Sequence, residues 1–318
     1  MTDEELEELR PPAFAVAYRM LGSVSEAEDV VQEGLLRLHR ARESGERIES
    51  PRAYLSTVVS RLALDQLRSA RARRETYVGE WLPEPLLASA DDDPARKAEM
   101  ADSLSLAFLV LLESLSPEQR AAFLLREVFD EPYERIAEII GTSEQNARQL
   151  AARARRHVEE RRPRFEATRE QREELAARFF AAVEEGDLDG LEQLLAHDVV
   201  LRGDGGGKAP ALARALHGRA RVARALAAWL RAATRFGFTL RREEVNGQPG
   251  ALFLDREGGL IGVMSLDVAE GQIQGVSSIV NPDKLRHLGP LADLDALLRE
   301  WRSHRGRAGV KDATLRDD

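Results

Sequence analysis

The chain has 318 residues, no cysteine and a formal net charge of -9. That length accommodates two or three domains with real apolar cores, the missing cysteine excludes disulfides and thiolate metal sites, and nothing resembles a signal peptide or an apolar run able to span a bilayer. The expectation is a soluble, cytoplasmic protein with no membrane partner, in which any nucleic-acid binding relies on locally clustered positive charge.

Ala13 to Leu21 reads as a helix stopped at Gly22. Ser25 and Glu28 have capping-box spacing for a second helix, with Ala27, Val30, Val31, Leu35 and Leu38 facing inward and Asp29, Gln32, Glu33 and Arg37 outside. After a polar loop, Ser50-Pro51 offers a cap and a proline at the first helical position, and the third helix runs to about Arg74. Tyr54, Leu55, Val58, Val59 and Leu62 lie near its start. Arg61, Arg68, Arg71, Arg73 and Arg74 accumulate toward its end, where Asp65 is the lone acid. A positive surface of this kind can track a nucleic-acid backbone, and Tyr54 is a candidate for stacking on an unstacked base. A solvated helix face is the plainer reading of the arginines, and a partly buried core position that of Tyr54.

From Glu75 to Pro94 the pattern breaks into YVGEWLPEPLLASADDDP, a linker with prolines, a glycine and consecutive aspartates. Tyr77, Trp81 and Leu82 are costly to leave in water, so part of this linker is expected to dock on a folded surface. Helical pattern resumes over 95–115, and Ser116, Pro117 and Gln119 repeat the cap, proline and reciprocal acceptor.

Two short helices then meet at a corner in PYERIAEIIGTSEQNARQLAARARR, Pro132 to Arg156. Pro132 suits a first helical position, Gly141 ends the first helix, and Thr142 with Gln145 is the expected cap of the second. Ala147, Leu150, Ala151 and Ala154 share one face, leaving Glu144, Gln145, Asn146, Arg148, Gln149 and Arg153 on the other. Arg148 and Arg153 suit phosphate or guanine, and Gln145, Asn146 and Gln149 suit adenine, each good bidentate pair adding roughly 1–3 kcal/mol of discrimination. The spacing alone equally fits a helical hairpin in any bundle.

Ser25 to Arg74 and Leu104 to Arg164 resemble the two helical domains of an extracytoplasmic-function sigma factor. The resemblance lies in DVVQEGLLRL at 29–38, SPRAYLSTVVSRLALDQLRS at 50–69 and the helix-turn-helix. It implies that Asp29, Gln32 and Glu33 dock on the RNA polymerase core. It also implies that the loop before Ser50 and the helix after it open and read the minus-ten element of promoter DNA, while the helix-turn-helix reads the minus-thirty-five element.

Beyond Arg164 a helix carries Leu175, Phe179, Phe180 and Val183, followed by GDLDGLEQLL, a strand into glycines and a helix over 219–233. Strand candidates follow at 236–243, 251–255, 260–268 and 273–280, an α+β order of helices and then antiparallel strands. This order, with GDLDGLEQLL leading to VVL, resembles the SnoaL-like, ketosteroid-isomerase-like cone. YVGEWLPEPL, Asp204 to Lys208 (DGGGK) and Asn281 to Leu285 (NPDKL) resemble the signature of the sigma-factor subgroup with a fused SnoaL-like domain; Glu80 departs from the proline or other residue expected before the tryptophan.

The expected organisation is two all-α sigma domains, the second with the helix-turn-helix, followed by an α+β cone. The ranges are 1–74, a linker 75–103, 104–164, the cone 165–302 and a polar tail from 303. No enzyme activity and no cofactor are expected. All tyrosines precede the cone, His197, His217 and His287 lack metal-site spacing, and Asp198, Asp204, Asp255, Asp267 and Asp283 are read mainly as loop, turn or edge residues. Asp204 to Lys208 fails as a phosphate loop, because Arg202 and Ala209 stand where glycine and a hydroxyl belong.

The resemblance implies instead a regulatory role in cis. Tyr77, Trp81, Leu82, Pro83, Asp204, Lys208, Asn281, Asp283 and Lys284 would form a latch that replaces a separate anti-sigma factor. A small ligand in the cone pocket stays open and unidentified. The alternatives are a ligand-sensing helix-turn-helix regulator and a bifunctional sigma factor with small-molecule turnover.

Overall fold

The computed structural model describes residues 3–74, 76–87, 104–160 and 167–294, together with 296, 297 and 299. The first unit is three helices, α1 (Asp3–Leu21), α2 (Val24–Glu43) and α3 (Pro51–Arg74). α1 is longer than the sequence pattern suggested and takes in Pro11 and Pro12. Gly22 ends it with φ of 67°, a left-handed residue that glycine adopts without a Cβ clash. The chain reverses so tightly there that α2 is capped by Ser23, whose Oγ accepts from Glu26 N at 3.2 Å, and not by Ser25 as expected. Gly34 serves a different need. A Cβ there would lie 2.9 Å from Val59 and 3.0 Å from Leu55, so the missing side chain is what lets α2 and α3 close together.

The second unit is α4 (Leu106–Leu112), α5 (Pro117–Glu127), α6 (Tyr133–Ile140) and α7 (Glu144–Glu159). The N-terminal part of the helix expected over 95–115, up to 103, lies outside the described residues. The Ser116–Gln119 capping box forms in both directions. At the corner, Gly141 adopts φ of 76°. Thr142 N is spent on Ala137 O at 2.9 Å, so the cap of α7 passes to Ser143, whose Oγ accepts from Asn146 N. The Thr142–Gln145 box is thereby corrected. Both units share one apolar core, in which Leu21, Leu38 and Leu64 belong to the same cluster as Leu124, Ile136 and Ala151.

The third unit runs α8 (Arg169–Glu185), α9 (Leu188–Leu194), β1 (Leu195–Asp204), β2 (Leu216–His217), α10 (Arg219–Arg235), β3 (Thr239–Val245), β4 (Gln248–Leu254), β5 (Leu260–Ala269) and β6 (Gln272–Ile279). The sheet order is β2-β1-β6-β5-β4-β3. β1 lies parallel to β6, whereas the other neighbours are antiparallel, so the all-antiparallel expectation is corrected at that pair. Alternation along the strands gives the sheet two apolar faces. Leu201, Phe253, Leu266 and Val276 pack with Phe179, Phe180, Val222 and Leu226 of the helices. Leu252, Val263 and Ile279 on the opposite face meet Leu82 of the linker and Leu106 of α4. A sheet covered on both sides this way is committed to its neighbours, and it fixes where the linker and α4 lie.

Candidate nucleic-acid interface and the linker contact

On α7, Ala147, Ala151 and Ala154 are buried, and Glu144, Gln145, Asn146, Arg148, Gln149 and Arg153 are all exposed. Arg148 pairs with Glu144 on the same face and its guanidinium lies over the Tyr133 ring, 4.5 Å from the centroid. Asn146 Nδ2 donates to Thr142 Oγ1 at 2.8 Å. Two of the polar side chains at the corner are thus held in place before any ligand arrives. Gln145, Gln149 and Arg153 are exposed on the same face.

Arg61 and Arg68 of α3 reach the second unit. Arg61 Nη2 donates to Glu138 O of α6 at 3.1 Å, and Arg135 Nη2 of α6 returns a bond to Ala53 O of α3 at 2.6 Å. Arg68 pairs with Glu118 at 3.0 Å and with Asp65 at 3.2 Å. Deeper in, Arg120 pairs with Glu113 and donates to Arg19 O at 3.0 Å; burial lowers Arg19 itself to about 10. Tyr54 is half-buried against the shared core. Arg71 lies on the last turn of α3, where side chains are outside the described residues. On α2, Asp29 and Gln32 are exposed and Glu33, partly covered, pairs with Arg37 at 2.7 Å. Leu36, 43% exposed, sits on the same helix.

Residues 76–87 thread between the first unit and the sheet. Asp204, at the end of β1, is fully buried, and Lys284 is only 7% exposed at its side chain; they pair at 2.7 Å. Two charges so far from water need every remaining valence filled, and they are filled largely by the linker. Tyr77 Oη donates to Asp204 Oδ1 at 2.5 Å, Leu82 N donates to Oδ2 at 2.9 Å, and Gly206 N adds a third donor at 3.0 Å. Lys284 donates also to Leu82 O and lies 4.1 Å from the Trp81 ring centroid. Asn281 Nδ2 donates to the Tyr77 hydroxyl at 2.8 Å. Burial and the adjacent Asp204 carboxylate both raise the Tyr77 phenol pKa. Lys208 pairs with Asp283 on the rim. The expectation that Asp204 is a loop or edge carboxylate is corrected: it is the buried hub of this network. Trp81 lies against Gly22, where a Cβ would come within 2.8 Å of the ring, and Pro83 is buried beside it.

Sequence reasoning passed over half of the linker contact. Glu84 is buried and acts as a remote cap of α2, its Oε2 accepting from Val24 N at 2.7 Å and its Oε1 from Ser23 Oγ at 2.8 Å. Asn246 is buried at the β3–β4 turn with φ of 52°, followed by Gly247 with φ of 71°. Its amide donates to Tyr18 Oη at 2.7 Å and Leu104 O at 2.9 Å, and accepts from Leu86 N at 2.9 Å. His287 bonds Pro85 O at 2.8 Å. The Asn-Gly pair between two strand patterns was a readable hairpin signal. Nothing local marks Glu84 as a cap for residues sixty positions earlier.

Family models match three parts of the chain: Sigma-70 region 2 at residues 6–73, Sigma-70 region 4 at 105–158 and a SnoaL-like domain at 176–275. The ECF RNA polymerase sigma factor SigJ of Mycobacterium tuberculosis is 41% identical over 300 residues, spanning 89% of this chain and 93% of the relative. This chain is an extracytoplasmic-function sigma factor. A second relative from that organism, the probable ECF RNA polymerase sigma factor SigI, is 35% identical over 85% of this chain and 90% of its own length. The crystal structure of SigJ superposes with a TM-score of 0.74 at 38% identity, covering 92% of this chain and all of that one. The function is that of the family, binding RNA polymerase core and directing initiation at promoters. A stand-alone ligand-sensing regulator is not favoured, since region 2 matches as well as the helix-turn-helix.

In this sigma factor the other carboxylates are dispersed, and Asp267, inside β5 between β6 and β4, departs from the loop, turn or edge reading. Asp198 is exposed, Asp255 closes a turn by accepting from Glu257 N and Gly259 N, and Asp283 bonds Lys208 and Arg286. The SnoaL-like fold also occurs in isomerases, and no catalytic constellation is assembled among these groups. Among the described residues, no helix is long and apolar enough to cross a membrane.

Proposed function

We propose that the SnoaL-like domain controls this sigma factor in cis by clamping the linker, and so holding its two DNA-reading units together. The observation that carries this is the direct contact of α3 with α6 through Arg61, Arg135 and their carbonyl partners. Elements at minus ten and minus thirty-five lie ~25 base pairs apart, about 85 Å at roughly 3.4 Å per pair. Helices in hydrogen-bond contact cannot read both at once, so this arrangement is a closed state that opens on the polymerase. Asp29, Gln32 and Glu33 then meet the core. Tyr54, Arg61, Arg68 and Arg71 serve the minus-ten element, and Glu144, Gln145, Asn146, Arg148, Gln149 and Arg153 the minus-thirty-five element.

On this reading the third domain is regulatory and not catalytic, works in the cytoplasm beside the polymerase, and makes a separate anti-sigma protein unnecessary. The test compares full-length protein, the Lys284→Met variant and the fragment 1–164 for affinity to core polymerase and to promoter DNA. The expected result is tighter core binding by Lys284→Met than by the parent, because the closed state is populated less. Identical affinities for all three proteins would overturn the reading.

A further inference from the structure

A cavity of about 510 Å³ lies where α4 meets the outer face of the sheet. Its floor has an unusual centre. Gly275 of β6 stands between Val200 of β1 and Asp267 of β5 in the sheet register. Its φ is not positive, and a Cβ placed there would touch nothing nearer than 3.4 Å. Neither backbone conformation nor crowding therefore requires glycine. A glycine inside a strand weakens it and commonly marks close approach of another group, so the space above Gly275 is a feature of the site.

Opposite charges flank that space without meeting. The Asp267 carboxylate makes no hydrogen bond among the described residues, and this part-buried residue lines the cavity. Burial raises its pKa, with the Arg202 guanidinium opposing. Arg202 approaches Glu80 through Nε at 3.5 Å, and its terminal nitrogens make no hydrogen bond among the described residues. A carboxylate and a part-covered guanidinium on the rim of one cavity, with no hydrogen bond between them, leave room for a bridging group. Phe108 and Leu111 of α4 supply an apolar wall.

We infer that this interdomain cavity binds a small zwitterion with an apolar body, an amino-acid-like molecule whose ammonium meets Asp267, whose carboxylate meets Arg202 and whose side chain lies on Phe108 and Leu111. The walls come from region 4, from the SnoaL-like sheet, and from Ala167 and Arg172 at the start of α8, so the site exists only while region 4 and the third unit touch. The inference concerns binding and does not depend on which way the third domain acts on transcription.

Three matched probes test it by calorimetry on the full chain: L-phenylalanine, phenethylamine lacking the carboxylate, and 3-phenylpropionate lacking the ammonium. Phenylalanine is expected to bind saturably, and each of the others about tenfold more weakly, the loss of one charge-assisted contact. Asp267→Asn should weaken phenylalanine about tenfold and leave 3-phenylpropionate unchanged. Gly275→Val should fill the floor and abolish binding of all three, with an unchanged melting temperature showing that the fold is kept. The inference fails if a singly charged probe binds as tightly as phenylalanine, if Asp267→Asn leaves phenylalanine affinity within about twofold, or if no probe binds saturably.

Discussion

Asp204 and Lys284 show how much of the interdomain arrangement depends on single side chains. Replacing Asp204 by alanine removes the carboxylate that pairs with the buried Lys284 ammonium and strips the Tyr77 hydroxyl and Leu82 N–H of their acceptor. The expected cost is about 3–5 kcal/mol, measured as a lower midpoint in urea and faster proteolysis at residues 76–87. Tyr77→Phe removes only the phenolic bonds and should cost about 1 kcal/mol by the same measurement. Asp267 behaves in the opposite sense. Burial raises its pKa, so the folded chain holds a proton that the unfolded chain releases. Its contribution is present below the ordinary aspartate value and is lost as pH rises through the raised value. Asp267→Asn should therefore match the parent near pH ~4 and exceed it in stability near pH ~7, checked by urea titration at both.

Among the elements, α2 has an unusual start. Its first N–H groups are satisfied by Ser23 and by Glu84, a linker residue, so helix formation in the first unit and docking of the linker are thermodynamically linked. Glu84→Ala should cost about 1–2 kcal/mol, in the range of a lost N-cap. Hydrogen exchange at Val24 and Ser25 should rise with it, while exchange at the C-terminal end of α2 stays as in the parent. The β3–β4 hairpin has a comparable outside role. It orders its own turn through Asn246 and Gly247, and the same asparagine fastens Tyr18, Leu86 and Leu104. Asn246→Gly retains the positive φ but removes those bonds, so it should free the linker without unfolding the sheet.

For the molecule as a whole, one apolar core spans both sigma units, and the sheet buries its outer face against the linker and α4. Removing the third domain exposes Leu82 and Leu106 to water, so the fragment 1–164 is a rougher perturbation than a point change in the latch. Fluorescence energy transfer between labels on α3 and α7 separates the two effects. Lys284→Met should lower transfer in the free protein, and adding core polymerase should lower it in both proteins. High transfer that persists in the polymerase complex would show that the closed arrangement is the working one.

The sequence by itself determined the elements and the family. Apolar spacing, the Ser116–Gln119 box and the helix stops at Gly22 and Gly141 are local chemistry, and the Asp29–Leu38 and Ser50–Ser69 patterns carried the sigma-factor resemblance. It also marked Trp81 and Leu82 as residues that must dock, because exposed apolar bulk is unfavourable wherever the chain leads. Cap positions at Ser23 and Ser143 escaped it by one or two residues, since a left-handed glycine resets where the next helix begins. What only the tertiary structure decided is pairing at a distance: Glu84 on the start of α2, Asn246 on Tyr18, the burial of Asp204, the parallel β1–β6 pair and the contact of α3 with α6. A buried charge or amide takes whichever partner the packing brings within about 3 Å, and that choice depends on the fold of the whole chain.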